Sequence, residues 1–389
     1  MRICLVYDCL FPYTVGGGER WYRGLAERLA ADGHEVTYLT LRQWDRGATP
    51  DLGLGIRVRA VGPRLALYTD SGRRRIAPPL AFGLGVLAHL ARHGGDYDVV
   101  HTGAFPYFSL LAAALMRPRR GFALVVDWFE VWSDDYWRDY LGPVGGPIGA
   151  AVQRLCARLP QRAFCLSQLH ARRLREEGLR GEPIVLRGLY AGPPGAQTPA
   201  ADPPTAVFAG RLIPEKRAPL AVAGIARAAR SIDGLRGEIL GDGPERGAVD
   251  AAIDSDGARG VVSARGFVAG EQVEEALAGA LCLVLPSRRE GYGLVVVEAA
   301  SHGTPSVVVA DPDSAATELI EEGVNGTVVA RADPQAIAAA IVRVHAAGPA
   351  LRDATARWFN DHADELSVDA SLRHVLATYR SGAGTGAHA

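Results

Sequence analysis

The chain has 389 residues, 48% of them hydrophobic and 22% charged, with a formal net charge of −1 at pH 7. This length exceeds one ordinary core, so two domains are expected, and the balanced charge gives no electrostatic reason to expect nucleic acid as a partner. The five scattered cysteines lack paired metal-ligand spacing and fit reduced thiols in a cytoplasm, and no apolar run reaches the roughly 18–20 residues of a spanning helix.

The first half of the chain alternates short apolar runs with helical patterns. Strands are predicted at 2–7, 35–41, 56–61, 98–101, 122–127 and 163–167, and helices at 19–31, 79–92, 105–116, 144–158 and 168–177. A loop follows the first strand at 8–18, and an aromatic loop follows the fifth at 128–137. Repeated strand–helix alternation predicts a parallel, doubly wound sheet.

A proline-rich linker at 190–204 precedes a second alternating half, because its five prolines leave neither helix nor strand there. Strands are then predicted at 206–209, 238–240, 261–263, 280–285, 306–309 and 327–329, and helices at 218–232, 246–253, 271–278, from 293 or 294 onward, 334–346 and 351–379. The predicted domains are 1–189 and 205–348. They are followed by C-terminal helices over 349–380, which are candidates for packing back on the first domain, and by a tail at 381–389.

This pattern predicts an α/β fold of two doubly wound, Rossmann-like domains that face each other across a cleft. In such folds ligands bind at the carboxyl ends of the strands. Every chemical feature of the sequence lies at the carboxyl end of a predicted strand: 8–18, His101, Asp127, 211–216, 241–244, 266–268 and 287–298. This agreement predicts one binding site along the shared edges.

The stretch 287–302 predicts an anion site. A buried strand ending at Pro286 leads into a turn with glycines at 291 and 293, and a helix starts directly afterwards. Such a turn brings free backbone N–H groups and the positive end of the helix dipole to one point, which suits phosphate. Glu298 interrupts an otherwise apolar run, where a charge needs a partner.

Lys216 is the only lysine among the 42 Lys+Arg residues of the chain. A sequence with this bias would fill an ordinary surface position with arginine, so the exception indicates a site that needs a compact ammonium. The alternative is chance, with Lys216 in a surface ion pair with Glu215.

Four passages are diagnostic together: G-G-G-E at 16–19, A-G-R-L-I-P-E-K at 209–216, G-D-G-P at 241–244 and E-G-Y-G-L-V-V-V-E at 290–298. With them the chain resembles, over nearly its whole length, the retaining, nucleotide-sugar-dependent glycosyltransferases of family 4, which have the GT-B fold. The resemblance implies transfer of a hexose from a nucleoside-diphosphate sugar of the UDP or GDP type to an acceptor hydroxyl. The acceptor would be a glycan, a lipid-linked molecule or a small molecule, and the anomeric configuration would be retained.

The resemblance also implies the donor site. Arg211 and Lys216 would neutralise the leaving diphosphate, Glu290 would face the donor sugar near the reacting end, and Glu298 would accept the ribose hydroxyls. Further donor contacts are expected from Gly16, Gly17, Gly241, Gly266, Phe267, Val268, Gly291, Tyr292, Gly293 and Leu294. The nucleobase would be held by main-chain groups of 266–268, and a merely flexible loop is the alternative for Gly16 and Gly17.

The acceptor side is predicted from three residues of the first domain. Asp127 ends a strand where the family usually carries a histidine, so it is a catalytic candidate that orients the acceptor or the donor; a loop cap is the alternative. His101 ends the preceding strand and either lines the acceptor side or is a structural histidine. Trp128 leads a dense aromatic group that either stacks on an acceptor or packs as a core.

No metal is expected, and no cofactor other than the nucleotide-sugar donor. Asp311-Pro312-Asp313 resembles the D-x-D metal motif of another glycosyltransferase fold but is interpreted as a loop beside the sugar site. A cytoplasmic protein is expected, and the basic clusters at 73–75 and 117–120 leave open a peripheral contact with the inner face of a membrane. Two other functions also stay open: a nucleotide-sugar epimerase or hydrolase of the same fold, and a non-catalytic nucleotide-sugar-binding protein.

Overall fold

The computed structural model describes residues 1–45, 47–48, 50–67, 75–193, 197–255 and 257–383. These residues form two units. The first combines residues up to Arg187 with those from Asp369 onward, and the second runs from Gly188 to Val368. Two arginines of the predicted basic cluster at 73–75, and part of the proline-rich linker, lie outside the described residues.

The first unit is built on one parallel sheet. Its strands are β1 (Arg2–Val6), β2 (Glu35–Leu41), β3 (Arg57–Gly62), β4 (Val99–Gly103), β5 (Ala123–Trp128), β6 (Arg162–Cys165) and β7 (Ile184–Val185). Its helices before the second unit are α1 (Gly17–Ala31), α2 (Ala77–His93), α3 (Phe108–Arg120), α4 (Asp134–Arg158) and α5 (Gln168–Glu176). The strand order is β3-β2-β1-β4-β5-β6-β7, which is the order of a doubly wound sheet.

Helices α2, α3, α4 and α5 cover the same face of this sheet. Phe82, Leu110, Ala157 and Leu174, one from each helix, share one buried apolar cluster with alternate residues of the strands, such as Cys4 and Val6. Alternation follows from the strand period of two, which sends every second side chain to the same face. The four helices therefore form one layer of the first unit.

The second unit repeats this architecture. Its strands are β8 (Thr205–Ala209), β9 (Arg236–Leu240), β10 (Val262–Gly266), β11 (Cys282–Leu285), β12 (Arg289–Glu290), β13 (Ser306–Val309), β14 (Asp313–Ser314) and β15 (Gly326–Val329). Its helices are α6 (Ala218–Ala228), α7 (Arg246–Ser255), α8 (Gly270–Gly279), α9 (Leu294–Ser301) and α10 (Pro334–Leu366). The main sheet has the order β10-β9-β8-β11-β13-β15, and β12 pairs with β14 outside it. The predicted class of two Rossmann-like domains is confirmed.

The helix α4 begins ten residues earlier than predicted. The sequence indicated an aromatic loop up to 137, but the hydroxyl of Ser133 accepts a hydrogen bond from the Tyr136 N–H and caps a helix there. A break at Gly142, with φ of 78°, and Pro143 divides this helix from the predicted part. Two acidic residues in its first turn, Asp134 and Asp135, favour the early start through the helix dipole.

The C-terminal region also differs from the prediction. The expected break after 346 occurs at Gly348, but a second break falls at Ser367, after which α11 (Val368–Ala383) begins. Tyr190 exchanges backbone hydrogen bonds with Leu366 and Val368, and this pairing holds the chain extended at that point. Helix α11 then joins the first unit from Asp369 onward. Within the described ranges, no helix has both the length and the apolar character needed to cross a bilayer.

Candidate active site

The carboxyl edge of the second unit's sheet collects the predicted donor residues. Strands β8 and β11 are parallel neighbours, so the segments that follow them emerge at the same edge. Arg211 lies two residues after β8, and a 3-10 turn, Pro214–Lys216, carries Lys216. The segment after β11 reaches Glu290 through β12 and then the glycine turn before α9. The predicted grouping of Arg211, Lys216 and Glu290 at one edge follows from this topology.

Lys216 and Glu290 form a direct ion pair. The Lys216 ammonium donates a hydrogen bond to Glu290 Oε1, and their side chains are 21% and 9% exposed. The backbone of Glu290 is held in place because its carbonyl accepts a hydrogen bond of 2.9 Å from the Ala315 N–H. The alternative pairing of Lys216 with Glu215 is not observed: the Glu215 carboxylate lies 3.7 Å from the Arg289 guanidinium instead. The pair is partly accessible, so an anionic ligand can compete for the ammonium.

The start of α9 requires a glycine. Gly293 has a φ of 103°, in the left-handed region, and a Cβ at this position would lie 2.9 Å from the Cβ of Ala316. Helix α9 begins with the next residue, Leu294, as predicted. The first N–H groups of a helix have no partner within it, and they point away from its positive end. The helix start that the sequence predicted as an anion site therefore lies close after Glu290 in the chain, and its binding of an anion stays a prediction.

Glu298 lies on the second turn of α9 and is half-buried. It is close enough to Tyr190 to affect its ionisation: burial raises the pKa of Tyr190, and the Glu274 and Glu298 carboxylates raise that pKa further. The backbone carbonyl of Glu298 accepts a hydrogen bond of 2.7 Å from Ser301. The residue that interrupts the apolar run is therefore placed against polar neighbours, as its sequence context required.

Three strand ends are tied together by backbone hydrogen bonds next to this site. The Gly210 N–H donates to Leu240 O at 2.9 Å, and the Gly241 N–H donates to Gly266 O at 2.8 Å. Gly241 has a φ of 138°, and a Cβ there would lie 1.8 Å from the Gly210 carbonyl oxygen, so no other residue fits. Directly after Gly266, the side chain of Phe267 is 72% exposed and Val268 is half-buried.

The two arginines near Lys216 differ in their side-chain contacts. Arg211 is exposed, and its guanidinium has no hydrogen bond or ion pair within the described part of the chain. Arg217, which the sequence analysis missed, has a φ of 49° and donates to Asp311 Oδ2 at 3.0 Å. Its left-handed backbone is unusual for a residue with a side chain and has no signature in the sequence.

The Asp311-Pro312-Asp313 segment lies beside these arginines. Asp311 uses one oxygen for Arg217 and accepts a longer bond of 3.4 Å from the Asp313 N–H with the other. Across the residues that the structure describes, no three His, Cys, Asp or Glu side chains are grouped as metal ligands. The expectation that no metal is needed stays a prediction.

The first unit places its predicted glycines at the start of α1. Gly16 precedes the helix in an extended conformation, and no heavy atom lies within 4 Å of a Cβ built on Gly17. A Cβ on Gly18 would lie 2.4 Å from the Tyr7 hydroxyl oxygen, and a Cβ on Gly16 would lie 2.4 Å from Glu19 Oε2, the far end of a more flexible side chain. The glycines lie at a helix start, and the contribution of Gly16 and Gly17 to donor binding stays a prediction.

Asp127 sits in a buried polar cluster and is 2% exposed. The Trp21 indole N–H donates to its Oδ2 at 2.8 Å, and His101 Nε2 lies 2.9 Å from its Oδ1. His101 Nδ1 lies 2.6 Å from the hydroxyl of Tyr379, on α11. Burial, with the Asp127 carboxylate adding to it, raises the pKa of Tyr379 well above its ordinary value, so the phenol beside Nδ1 stays protonated.

Trp128 is also buried, and its indole N–H donates to Gln161 Oε1 at 2.9 Å. The aromatic residues that follow it pack into the same cluster as α2–α5; they are Trp132, Tyr136 and Trp137. These positions agree with the packed-core alternative. In this structure neither Asp127, His101 nor Trp128 offers a side-chain surface to an acceptor, because all three are buried.

Both halves of the chain match known protein families. Residues 16–189 match the family described as Glycosyl transferase 4-like domain, and residues 203–347 match the family described as Glycosyl transferases group 1. Among curated proteins, a glycogen synthase of Mycobacterium tuberculosis is 28% identical over 98% of this chain and 95% of its own length. A D-inositol 3-phosphate glycosyltransferase of Actinosynnema mirum is 28% identical over 85% of this chain and 83% of its own.

Solved structures show the same fold at low sequence identity. A sucrose-phosphate synthase from Thermosynechococcus elongatus superimposes with a TM-score of 0.77 and 19% identity, covering 98% of both chains. The Anabaena protein Alr3699/HepE, solved in complex with UDP and glucose, has a TM-score of 0.71 and 17% identity, covering 98% of this chain and 100% of its own.

Proposed function

This chain belongs to the GT-B glycosyltransferases, which use nucleotide-sugar donors, and we propose on that premise that it transfers a hexose with retention at the anomeric carbon. The proposed donor is a nucleoside-diphosphate sugar of the UDP or GDP type, and the proposed acceptor is a hydroxyl of a glycan, a lipid-linked molecule or a small molecule. The HepE complex with UDP supports a uridine donor by analogy of fold alone.

One observation carries the proposal: the only lysine of the chain pairs with Glu290 beside the tip of α9. Without donor, the Glu290 carboxylate neutralises the Lys216 ammonium. When the diphosphate binds, its oxygens replace Glu290 as the partner of the Lys216 ammonium. They also accept hydrogen bonds from the Arg211 guanidinium and from the N–H groups at the helix start. Glu290 is then released to accept hydrogen bonds from the donor sugar. Glu290 thus pairs with Lys216 in the free protein and binds the donor sugar in the complex.

The proposed chemistry needs charge stabilisation more than a protein nucleophile. The bond between the anomeric carbon and the diphosphate oxygen breaks, the acceptor oxygen bonds to that carbon on the same face, and the acceptor proton passes to the leaving phosphate. Arg211, Lys216 and the helix tip stabilise the negative charge that develops on the diphosphate. Asp127 is buried with both oxygens engaged, so we assign it to positioning rather than to attack on the sugar.

Isothermal titration calorimetry of UDP and GDP tests the site. Lys216→Ala should weaken binding of the accepted nucleotide at least thirtyfold, because a loss of about 2 kcal/mol or more follows when one partner of a charge-assisted contact is removed. Arg236→Ala is the matched control: it removes one exposed cation at the amino end of β9, the opposite edge of the sheet. Equal affinities in wild type and Lys216→Ala would refute the site.

Product analysis tests the reaction itself. With an acceptor that supports turnover, the proton spectrum of the first product should show the anomeric configuration of the donor, and an inverted configuration would contradict retention. Incubation with donor alone separates the two remaining alternatives. Rapid acceptor-free conversion would identify an epimerase or hydrolase, and tight donor binding with no turnover across a broad acceptor panel would identify a non-catalytic binding protein.

A further inference from the structure

Exposed apolar side chains are concentrated on the outer side of one helical layer. Thirteen large apolar side chains are exposed among the described residues. Seven of them belong to α2, α3 and α4, and an eighth, Ile76, directly precedes α2. These eight residues, called the outer face below, are Ile76, Leu80, Leu84, Leu115, Leu141, Val144, Ile148 and Leu155. The layer buries its opposite side against the sheet, so the outer face is a second apolar surface on the same helices. Such concentrations mark interaction sites.

The clearest part of the outer face is on α4. Val144 and Ile148 are 77% and 62% exposed, and Leu155 follows at a spacing that keeps all three on one side of the helix. The other side, represented by Gln153 and Cys156, is fully buried. No charged residue occurs from Tyr140 to Gln153, although this stretch faces solvent along one side. An uncharged, exposed helix face is unfavourable in water and indicates a partner.

The surrounding charge is positive. Residues 99–126 contain three arginines and no acidic residue, and residues 140–175 contain six arginines and no acidic residue. The stretch between them, 127–139, adds five acidic residues and one arginine, and two of these acids, Asp134 and Asp135, are paired with Arg154 and Arg138. Over 99–175 as a whole there are ten arginines and five acidic residues. The balance around the outer face is therefore basic, whereas the whole chain is close to neutral.

Four of these arginines keep their charge available. Arg117 and Arg158 bind the backbone carbonyls of Pro160 and Glu177 at 2.7 and 3.3 Å, and Arg120 binds a carbonyl of α2. Arg119 is exposed and has no partner in the described part of the chain. None of the four forms an ion pair with a carboxylate there. A carbonyl orients a guanidinium without neutralising it, so an external anion meets a full charge.

From this combination we infer that the outer face binds the surface of a lipid bilayer that carries anionic headgroups. The apolar side chains enter the boundary between headgroups and acyl chains, and the arginines contact the headgroup phosphates. A second copy of the chain fits less well, because a symmetric interface would bring together two surfaces on which arginines outnumber acidic residues. The inference does not depend on which nucleotide or sugar the second domain binds.

Vesicle flotation with the full-length chain tests the inference. One set of vesicles is phosphatidylcholine alone, and the other contains about a third phosphatidylglycerol, enough for a negative surface potential. The wild-type protein should float with the anionic vesicles and be released by high salt, since screening weakens the headgroup contacts. Failure to bind the anionic vesicles at low salt would overturn the inference.

Two variants locate the contact. Val144→Glu/Ile148→Glu should lower the partition coefficient at least tenfold, because it replaces two inserted side chains by charges on α4. Arg119→Gln should lower it about fivefold, on anionic vesicles only. The matched control, Ala339→Glu/Ala346→Glu, adds the same two charges at exposed positions of α10 in the second unit and should leave vesicle binding essentially unchanged.

Two further readouts complete the test. Unchanged nucleotide affinity in the Val144→Glu/Ile148→Glu protein would show that it is folded and that the loss is confined to the outer face. Equal flotation of this variant and the wild type would place the contact elsewhere and refute the inference. Concentration-dependent dimers that the same variant abolishes, with no vesicle binding, would assign the outer face to a second copy and also refute it.

Discussion

The two domains place carboxylates at equivalent edges of their sheets but treat them differently. In the second domain, Glu290 pairs with the Lys216 ammonium, and both side chains keep some exposure to solvent. In the first domain, Asp127 is 2% exposed and its neighbours are Trp21 and His101. One carboxylate can therefore exchange its partner for a ligand, whereas the other is enclosed by buried side chains that belong to the fold.

This difference teaches that a strand-end position is necessary for a site but does not suffice for one. The second-domain edge is held open by backbone geometry, with glycines at 241 and 293 in left-handed conformations. The first-domain edge is closed by large side chains, including Tyr379 from the far end of the chain. We therefore expect ligand binding at the first kind of edge and stabilisation of the domain at the second.

The largest expected effect comes from adding a side chain at Gly241, where the edge of the second domain's sheet leaves no room for a Cβ. Gly241→Ala should lower the free energy of unfolding of the second domain by roughly 3–5 kcal/mol, because its Cβ would overlap the Gly210 carbonyl oxygen at 1.8 Å. Urea denaturation followed by hydrogen exchange of β8 and β9 measures it.

Gly247→Ala is the control, since no heavy atom lies within 4 Å of a Cβ there and the residue is helical. It should leave the protein as stable as the wild type or slightly more so. Equal stability of the Gly241→Ala and Gly247→Ala proteins would contradict the role of backbone geometry at this edge.

A smaller effect is expected from the enclosed carboxylate. Asp127→Asn should destabilise the first domain by about 1–3 kcal/mol, since one carboxylate oxygen, facing either the Trp21 indole N–H or His101 Nε2, would become an N–H₂ group that cannot accept a hydrogen bond. The affinity for UDP or GDP should not change, because the residues proposed to bind the diphosphate, Arg211, Lys216 and the start of α9, lie in the second domain. Chemical denaturation and calorimetry on the same preparation measure both quantities.

Asp135→Asn is the control for that variant, because Asp135 forms an exposed ion pair that contributes little. If Asp127→Asn instead left stability intact and abolished nucleotide binding, the two edges would have exchanged the roles assigned to them.

The smallest effect concerns pH. Burial lowers the pKa of His89 on α2 from 6.5 to about 4, with the neighbouring His93 and Arg59 adding to the shift. His89 therefore binds a proton less readily in the folded protein than in the unfolded chain. The stability that neutral His89 contributes is complete above about pH 6.5 and is lost as the pH falls towards 4. The melting temperature of the wild type should fall as the pH is lowered through this window, and His89→Gln should reduce the slope of melting temperature against pH. An unchanged slope in the variant would exclude His89 as the cause.

The regular elements were predictable because they depend on local patterns. Apolar runs of strand length, helical periodicity and the glycine turns of the second domain identified both sheets and the start of α9 at Leu294. The early start of α4 was missed, although Ser133 followed by two acidic residues is a readable helix-start signal. That error came from giving aromatic content more weight than the cap.

The contacts of individual site residues were less predictable. The composition singled out Lys216, but its partner Glu290 is 74 residues away. The contact of Tyr379 with His101 spans 278 residues, and nothing in either local sequence indicates it. Arg217 was missed because its left-handed backbone depends on how the segment after β8 packs.

The amino-acid sequence by itself determined the two-domain plan, the order of strands and helices, and which residues stand at the second domain's edge, because periodicity, glycines and a unique lysine can be read within a few residues. Only the tertiary structure decided that Asp127, His101 and Trp128 are buried. It also decided that an apolar face of α4 is left exposed beside unneutralised arginines. Burial depends on which distant side chains fill the space around a residue, and that is a property of the packed chain.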